Sequence, residues 1–390
     1  TKSVLVIDEA QDMTEDEFNL ITALIDKNET LKVIAVGDDD QNIYSFRKSD
    51  SKYMQYLISK YQARFYELYE NFRSKSNLVT FANSFVNQIP HRMKHNPIVS
   101  HQPENGSLRI TYYPSNNLII PLIKDVVESP LAGTTGVLTK TNEEAVFISC
   151  LLQEQGIATK LVQTNSSNFY LGDLNEIRYF TQVLNLTKDT HIIDNERWEV
   201  AKRKLKYEFG NTSSWEICRS IILTFEQIYS RKYLSDWKTY LFESNLEDFY
   251  SAQGETVIVS TIHKAKGKEF DNVFLLLNNG NSLSDEKKRE IYVAITRAKQ
   301  NISIHLNGHY FNNIVNGLTE IRTDNNQYPI PQRLCYLLTH KDLNLDTFIS
   351  SYCQAAIYNL KSGMPLQLKA NGCTDFHGNE ILRFSRKFQN

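Results

Sequence analysis

Apolar and polar positions along the chain predict two stretches in which strands and helices alternate. In the first stretch, VLVIDEA is a continuous apolar run typical of a buried parallel strand, and LKVIAVG and RFYELYE predict two further strands. The segments after these strands have apolar residues at helical spacing. Thr14, with Glu17 three residues later, predicts a capping box at the start of the first helix. The alternation predicts an α/β fold with a parallel sheet covered by helices.

The second stretch begins after a segment rich in proline, glycine and asparagine at 95–107, which indicates a domain boundary. Strands are predicted at SLRITYYP, GVLTKT and ATKLVQ, and again, after an interruption, at ETVIVSTI, NVFLLL and NISIHL. Gly156 is expected to close the helix that precedes ATKLVQ. The interruption, from about 172 to 250, contains only helical patterns and predicts an all-helical insertion. After about residue 310, the pattern predicts a helix and a small β element.

Composition restricts the class of protein. The chain has 390 residues, 41% hydrophobic and 23% charged, which is typical of a globular protein of two or three domains. A net charge of −2 and a pI near 6.5 exclude a free-standing basic DNA-binding domain, so any nucleic-acid contact is expected in a local groove. The five dispersed cysteines argue for reduced thiols in a cytoplasmic protein and against a zinc site.

The end of the first predicted strand carries candidate chemistry. Asp8 and Glu9 follow the apolar run directly, at the carboxyl edge of a parallel sheet, where ligands bind. One carboxylate at such an edge can hold Mg²⁺ on the phosphates of a nucleotide, and the next can orient and deprotonate an attacking water. Solvated acids also end many strands, so this pair does not identify the function by itself.

Four further blocks follow DEAQD in order: GDDDQNIYSFR, LYENFRS, VSTIHKAKGKEF and IYVAITRAK. These blocks resemble motifs III to VI of superfamily-1 DNA helicases of the UvrD/Rep/PcrA type. The resemblance covers about residues 3–190 and 252–308, is weak over 190–250 and is absent after about 310. It implies an ATP-dependent helicase that unwinds DNA 3′ to 5′, with ATP, Mg²⁺ and single-stranded DNA as ligands and a nucleoid-associated place in the cytoplasm.

The resemblance also implies a domain organisation. Two RecA-like parallel-sheet units are expected, of which the first, at 1–95, is incomplete and the second combines 106–171 with 252–308. Residues 172–251 are expected to form a short all-helical insertion. Residues 309–390 are expected to form a C-terminal helix with a small β module, which either docks a protein partner or DNA or caps the motor.

For the nucleotide, the resemblance implies roles for residues in several blocks. Asp8 resembles the Mg²⁺ ligand and Glu9 the catalytic base. Gln41 resembles the side chain that senses the γ-phosphate and couples it to DNA. Phe72 stands where the family has an aromatic residue, usually tyrosine, that stacks on the base of ATP. Phenylalanine keeps the ring, so stacking is expected to survive.

The remaining nucleotide residues come from three blocks. Arg73 and Arg297 match two arginines that reach the γ-phosphate. Arginine suits that task because a planar guanidinium meets two phosphoryl oxygens at once, although outside these blocks either residue would be interpreted as a surface ion pair. Glu269 resembles the residue that binds the ribose hydroxyls, and Gly267 a glycine that lets the backbone approach the nucleotide closely.

For DNA, the resemblance points to QNIYSFR. Tyr44 and Phe46 match aromatic residues that stack on single-stranded bases, and Arg47 matches a backbone contact. Such stacking tolerates any sequence, as a motor that moves along DNA requires. The alternative is that Tyr44 or Phe46 packs in the domain core. Further contacts to the strand are implied for Asn142, His263 and Lys264.

No G-x-x-x-x-G-K-[ST] phosphate loop (Walker A) occurs in the sequence. That loop supplies backbone N–H groups, a lysine and a Mg²⁺-binding hydroxyl, and in the family it precedes DEAQD. The chain is therefore expected to be the C-terminal part of a longer protein and to be inactive as an ATPase alone. The alternative is a non-hydrolysing DNA- or partner-binding module from a degenerate helicase. A small-molecule kinase fits the acidic strand end but not QNIYSFR or the two separated arginines.

Overall fold

The computed structural model describes residues 4–28, 30–130, 132–162, 170–187, 190–212, 214–244, 249, 257–278, 284–308, 310–311, 314, 317–331, 335, 338–361 and 363–389. The chain divides into two compact units. The sheet unit comprises Thr1–Gln163 and Gln253–Cys335. The helical unit comprises Thr164–Ala252 and Tyr336–Asn390. The finer domain boundaries expected from the sequence stay predictions.

The secondary structure follows the predicted alternation. The strands are β1 Val4–Ile7, β2 Lys32–Ala35, β3 Glu70–Lys75, β4 Val99–Gln102, β5 Ser107–Tyr112, β6 Thr135–Thr139, β7 Thr159–Leu161, β8 Val257–Thr261, β9 Phe270–Leu277, β10 Ala298–Leu306, β11 Glu320–Thr323, β12 Gln367–Lys369, β13 Gly372–Thr374 and β14 Glu380–Arg383. The helices are α1 Glu15–Asp26, α2 Lys52–Tyr61, α3 Ser76–Val86, α4 Ile119–Glu128, α5 Asn142–Glu154, α6 Asn175–Val183, α7 Asn195–Phe209, α8 Trp215–Ile228, α9 Leu234–Glu243, α10 Asp285–Ile295, α11 Ser351–Tyr358 and α12 Arg386–Gln389.

A seven-stranded sheet forms the centre of the sheet unit. Its strand order is β11-β5-β10-β9-β6-β8-β7, and all neighbouring pairs are parallel. Alternate residues of its strands enter two apolar clusters, because successive side chains point to opposite faces. Leu138 and Leu275 pack with side chains of α3 and α10, whereas Val137 and Phe274 pack with side chains of α4 and α5. The predicted α/β fold with a covered parallel sheet is confirmed.

The first predicted strand is parallel to the second but is not buried as predicted. β1 and β2 form a separate two-stranded parallel sheet. On one face, Ile7 packs with apolar side chains of α1 and α2. On the other face, Val4, Val6 and Ile34 are 48%, 62% and 53% exposed. Burial on both faces needs covering elements on both faces, and among the described residues only one face has them.

The prediction of a strand at RFYELYE is wrong, since residues 64–69 are irregular and the strand begins at Glu70. An apolar run becomes a strand only where a neighbouring strand can pair with it. β3 has such a neighbour in β4, which the sequence did not predict because it lies in the segment taken as a boundary. Phe65, Tyr66 and Leu68 are exposed instead.

Predictions from local sequence signals, such as helix caps, agreed with the structure better than predictions that depend on strand pairing. Thr14 and Glu17 form the predicted capping box, and Gly156 has a φ of 79° just after α5. The four predicted helices of the insertion are α6 to α9, which pack around Trp198 and Trp237. Within the described residues, no helix combines the length and the apolar character that crossing a membrane requires.

The segment after residue 310 differs from the prediction in two places. β11 lies in the part assigned to the C-terminal module, yet it pairs with β5 at the edge of the seven-stranded sheet. The small β element is an antiparallel sheet of β12, β13 and β14, whereas only its outer strands were predicted. β13 was missed because its three residues, Gly372–Thr374, are too short for a recognisable alternation.

Candidate functional site

Asp8 and Glu9 lie directly after β1, at the carboxyl end of the β1–β2 pair. The backbone of Glu9 is left-handed, with φ of 49° and ψ of 41°. Its N–H donates to Oδ1 of Asp8 at 2.9 Å. Both side chains are exposed. A solvent-facing carboxylate beside a second one suits Mg²⁺, which prefers one or two protein carboxylates and keeps other positions for water or phosphate.

Gln11 holds the carboxylate of Glu9. Its Nε2 donates to Oε2 of Glu9 at 2.5 Å, and its Oε1 accepts from the backbone N–H of Asp38 at 2.9 Å. Gln11 is fully buried. Gly37 makes room for it, because a Cβ at residue 37 would lie 2.5 Å from Oε1 of Gln11. The sequence analysis missed Gln11, although it is the fourth letter of DEAQD.

Gln41 and Arg297 are in direct contact. Nη2 of Arg297 donates to Oε1 of Gln41 at 3.0 Å, and Nε2 of Gln41 donates to Asp38 at 2.8 Å. Arg297 is only 2% exposed, and its remaining N–H groups donate mainly to the backbone carbonyls of Val293 and Lys268. Burial, together with the charge of Arg73, lowers the pKa of Arg297 to about 10, so the guanidinium stays charged at neutral pH.

Arg73 lies near Arg297 and is held by Glu269. Nε of Arg73 donates to Oε2 of Glu269 at 2.6 Å, and Nη1 donates to the carbonyl of Thr296 at 3.3 Å. The other oxygen of Glu269 pairs with Lys299 at 2.8 Å. The hydrogen bond from Lys299 and the charge of Arg73 lower the pKa of Glu269. The structure therefore brings Arg73, Glu269 and Arg297 together; that Glu269 binds ribose stays a prediction.

The aromatic ring of Phe72, the residue before Arg73, is accessible to solvent. The ring is 63% exposed, and the imidazole of His101 lies against it with 4.6 Å between ring centroids. Gly267 has a φ of 79°, and no atom lies within 4 Å of the position that a Cβ would take. Its backbone conformation therefore accounts for the glycine, and close approach of a nucleotide stays a prediction.

Lys266 connects two of the sequence blocks and was missed by the sequence analysis. Its side chain is 6% exposed, and Nζ lies 2.5 Å from Oδ2 of Asp12 and 3.6 Å from Oε2 of Glu9. Nζ also donates to the backbone carbonyl of Gln41 at 3.0 Å. The only signal in the sequence was its place between His263 and Gly267, since the partners are more than 200 residues away.

The residues predicted to contact DNA form an aromatic cluster. The hydroxyl of Tyr44 donates to the carbonyl of His263 at 3.1 Å. The ring of Phe46 lies 5.9 Å from that of Tyr44 and 5.7 Å from the imidazole of His263. The guanidinium of Arg47 lies 5.9 Å from the Tyr44 ring. Tyr44 packs against the core, whereas Phe46 is 68% exposed, so core packing describes Tyr44 only.

A second group of predicted DNA residues adjoins His263. Nζ of Lys264 donates to Oδ1 of Asn142 at 2.7 Å and to the carbonyl of Val162 at 3.4 Å. Nε2 of His263 lies 3.5 Å from Oε1 of Glu290. The aromatic cluster and the Lys264–Asn142 pair thus meet at neighbouring residues of one block.

Asp38, Asp39 and Asp40 place their carboxylates within 4.8 Å of one another. Their partners argue against a metal at this triplet. Asp40 accepts twice from Arg92, both at 2.8 Å, and Lys94 lies 2.6 Å from Asp38. Asp39 accepts from the backbone N–H of Met93 at 2.8 Å. The triplet therefore holds residues 92–94, which follow α3, in place. Asp8 remains the better candidate for Mg²⁺.

Comparisons with protein families match most of the chain. The UvrD-like helicase C-terminal domain matches residues 66–242 and 213–308, and the UvrD/REP helicase N-terminal domain matches residues 2–62. Gabija protein GajB of Bacillus cereus (strain VD045) is 20% identical over 339 residues, which cover 80% of this chain and 65% of GajB. DNA helicase II of Escherichia coli (strain K12) is 34% identical over 83 residues, which cover 21% of this chain and 11% of the helicase.

Two further matches are more limited. The RecBCD enzyme subunit RecB of Buchnera aphidicola is 30% identical over 128 residues, which cover 32% of this chain and 10% of RecB. The crystal structure of the C-terminal domain of a possible DNA helicase from Lactobacillus plantarum WCFS1 has a TM-score of 0.31 and 12% identity, and the match covers 64% of this chain and 98% of that chain. The chain spans at most 65% of the length of the three curated relatives named here.

Proposed function

This chain belongs to the UvrD-like helicase family, and from that premise we propose that it forms part of an ATP-dependent motor that moves 3′ to 5′ along single-stranded DNA and unwinds DNA. The observation that carries the proposal is the hydrogen bond between Gln41 and Arg297, which joins two sequence blocks. Gln41 also donates to Asp38, whose backbone N–H donates to the Gln11 side chain that holds Glu9. A residue that senses a phosphate and one that neutralises it have to meet at one point.

In the proposed reaction, each residue of the nucleotide site has a separate task. Asp8 would hold Mg²⁺, which neutralises charge on the phosphates of ATP when bound. Glu9 would accept a proton from the attacking water, and Gln11 keeps its carboxylate in place. Arg73 and Arg297 would stabilise the charge that develops on the transferred phosphoryl oxygens, a contribution of roughly 10³–10⁵ in rate in related hydrolases.

We propose that Lys266 links nucleotide and DNA. It contacts Asp12 and the carbonyl of Gln41 on the nucleotide side, and its Nζ lies 5.0 Å from the ring centroid of Tyr44 on the DNA side. A change at the γ-phosphate that moves Gln41 would therefore act on the aromatic cluster through one buried side chain. Stacking of bases on Phe46 and the phosphate contacts of Arg47 and Lys264 would hold the strand.

The missing phosphate loop limits what this chain does alone. Positioning accounts for up to ~7–11 kcal/mol of a reaction barrier, and the sequence offers no G-x-x-x-x-G-K-[ST] to hold the triphosphate. This chain alone is therefore expected to hydrolyse ATP only at the background rate. In the proposal, a longer protein that includes this chain supplies the loop and hydrolyses ATP. The alternative, a non-hydrolysing binding module, is favoured by the missing loop. Against it stands the full set of catalytic side chains: Asp8, Glu9, Gln41, Arg73, Glu269 and Arg297.

A steady-state ATPase assay tests this proposal on the 390-residue chain and on the longer protein, each with and without single-stranded DNA. The longer protein is expected to turn over ATP with stimulation by DNA, and Glu9→Gln is expected to abolish turnover while nucleotide binding persists. Turnover by the chain alone would show that the phosphate site has been misplaced. No turnover by the longer protein, with DNA binding retained, would favour the binding module.

The C-terminal module is proposed to bind a protein partner. RecB is by its name a subunit of an enzyme, and β12 to β14 form a sheet that belongs to no part of the nucleotide or DNA sites. Leu368 on β12 is 75% exposed, so its apolar side chain is open to a partner. Deletion of the β12–β14 sheet, Gln367–Arg383, which leaves β11 in place, is expected to leave single-stranded DNA binding by the sheet unit unchanged.

A further inference from the structure

A small crevice opens where β6 and β9 end and α10 begins. Lys140 follows β6, Asn278 follows β9, and Lys287 and Glu290 lie on the first turns of α10. We call this group of four residues the Glu290 crevice. Its apolar floor includes Ile262 and Leu276, which are buried in the sheet unit. The carboxyl ends of parallel strands are the usual place for ligands in such a sheet.

Basic side chains face the carboxylate of the Glu290 crevice. Glu290 is the one carboxylate among the residues that line it, and its side chain is only 15% exposed. Nε2 of His263 lies 3.5 Å from Oε1 of Glu290, and the positive charges of Lys140 and Lys287 and the negative charge of Glu286 also act on this carboxylate. Three basic side chains therefore face Glu290, with Glu286 as a second acid beside it.

Asn278 adds an unused acceptor to the crevice. Its Nδ2 donates to Oε1 of Glu144 at 2.8 Å, which fixes the orientation of the amide. Its Oδ1 is buried and has no hydrogen-bond partner among the described residues. A buried acceptor without a donor costs about 1–3 kcal/mol, which a water that also donates to a bound phosphate oxygen would offset.

The crevice continues the surface already assigned to DNA. His263 contacts Glu290 on one side and the ring of Phe46 on the other, at 5.7 Å between centroids. Lys140 is two residues before Asn142, which accepts from Lys264. A strand that stacks on Phe46 and meets Lys264 would therefore pass close to the three basic side chains around Glu290.

We propose that the Glu290 crevice is a phosphodiester subsite of the DNA surface, in which the Glu290 carboxylate stands in for a backbone phosphate until single-stranded DNA displaces it. The inference rests on the proposed function and deepens it. Both anions accept hydrogen bonds from the same basic side chains, so Glu290 competes with DNA for His263, Lys140 and Lys287. The negative charge of Glu290 repels the phosphates of DNA and so lowers the affinity for the strand. A lower affinity favours release of DNA between the steps of a motor.

The test measures binding of a fluorescein-labelled oligo-dT strand by anisotropy at several chloride concentrations, with an oligo-U strand in parallel. Glu290→Gln removes the charge and keeps the shape, and it is expected to tighten binding of oligo-dT by about three- to tenfold. Lys287→Ala is expected to weaken binding and to lower the slope of log affinity against log salt by about one. Glu128→Gln on α4 is the matched control, because Glu128 is 65% exposed and pairs only weakly with Lys124, at 3.9 Å.

Four results separate the possibilities. Tighter binding by Glu290→Gln with a lower salt slope for Lys287→Ala supports the subsite. Affinity of Glu290→Gln equal to the Glu128→Gln control, or weaker than that of the natural chain, overturns it, since Glu290 would then only position His263. Failure of the natural chain and all variants to bind oligo-dT would instead refute the proposed function. Tightening on oligo-U alone overturns the assignment to DNA.

Discussion

Nη2 of Arg297 and Oε1 of Gln41 are 3.0 Å apart, although the two residues are separated by 256 positions in the chain. This hydrogen bond joins the block GDDDQ directly to the block IYVAITRAK. Arg73 lies close enough for its charge to lower the pKa of Arg297, with burial as the larger cause. The residues expected to surround a γ-phosphate are thus assembled within the sheet unit.

Arg297→Lys is expected to keep the positive charge and lose the fork that reaches Gln41, Val293 and Lys268. In the longer protein proposed above, ATP turnover should fall by about 10³-fold or more, while binding of single-stranded DNA changes little. Arg322→Lys is the matched control, because Arg322 is 54% exposed and pairs with Glu320 on β11. Turnover within a factor of about two of the natural protein would contradict the role of Arg297.

Phe46→Ala is expected to weaken binding of single-stranded DNA by about 1–3 kcal/mol, because the exposed ring is the proposed stacking platform. The thermal midpoint should stay the same, since the ring is 68% exposed. Phe242→Ala, which removes a ring that is 73% exposed in the helical unit, serves as control. Anisotropy titrations with oligonucleotides of two different sequences measure the effect, and equal affinity for the two variants would remove Phe46 from the DNA surface.

Gly37→Ala is expected to damage the site without touching a reacting group. The added methyl would lie 2.5 Å from Oε1 of Gln11, so Gln11 must shift and release the carboxylate of Glu9. Overpacking of this kind costs about 1–3 kcal/mol of stability. Gly317→Ala is the control, because no atom lies within 4 Å of that position. ATP turnover of the longer protein and the thermal midpoint should both fall for Gly37→Ala and stay unchanged for the control.

The sheet unit is expected to lose stability as the pH falls from 7 to 5 because of His305. This residue is fully enclosed between Tyr113, whose hydroxyl lies 2.8 Å from Nδ1, and Asp125, whose Oδ2 lies 2.9 Å from Nε2. Burial lowers the pKa of His305, and Asp125 opposes this only in part. The unfolded chain therefore takes up a proton first, near its ordinary pKa of about 6.5. The stabilisation is complete above that pH and declines below it, by at most about 1.4 kcal/mol per pH unit.

Hydrogen exchange of β5 and β10 amides at pH 7 and pH 5, corrected for intrinsic rates, measures this loss. The tryptophans are a poor probe for it, because Trp198, Trp215 and Trp237 all lie in the helical unit. His305→Gln keeps an amide donor for Asp125 and is expected to flatten the pH dependence, whatever its effect at pH 7. Burial alone would raise the pKa of Asp125, but the hydrogen bonds of His305 and Ser303 and the charge of Arg109 outweigh it and lower the pKa, so Asp125 stays charged throughout.

Local sequence signals predicted elements well, and pairing partners poorly. The capping box at Thr14 and the helix Asn195–Phe209 depend on neighbours within a few residues, so the sequence contains the whole signal. The strand predicted at RFYELYE failed because a strand also needs a partner, and β4 supplied one only from Glu70 onward. Exposure of Val4 and Val6 had the same cause, since burial depends on covering elements that an apolar run cannot specify.

In the candidate site, too, the residues within sequence motifs were predicted, whereas residues that depend on long-range contacts were missed. Motif letters placed Gln41, Arg73 and Arg297 at one end of the sheet unit, where the structure brings them together. They gave no indication of Lys266, whose contacts with Asp12 and the carbonyl of Gln41 span more than 200 residues. Gln11 was also missed, because a buried glutamine can be recognised as an orienting group only when its two partners are seen.

The left-handed backbone of Glu9 implies that the stability of the fold and the proposed function favour different residues at this position. A φ of 49° is unfavourable for any residue with a Cβ, by about 1–2 kcal/mol. Glu9→Gly would relieve that strain, and the resulting protein should melt at a higher temperature while lacking the carboxylate proposed to activate water. A glutamate in a backbone conformation that favours glycine therefore lowers the stability of the fold, as a carboxylate placed for the proposed reaction would.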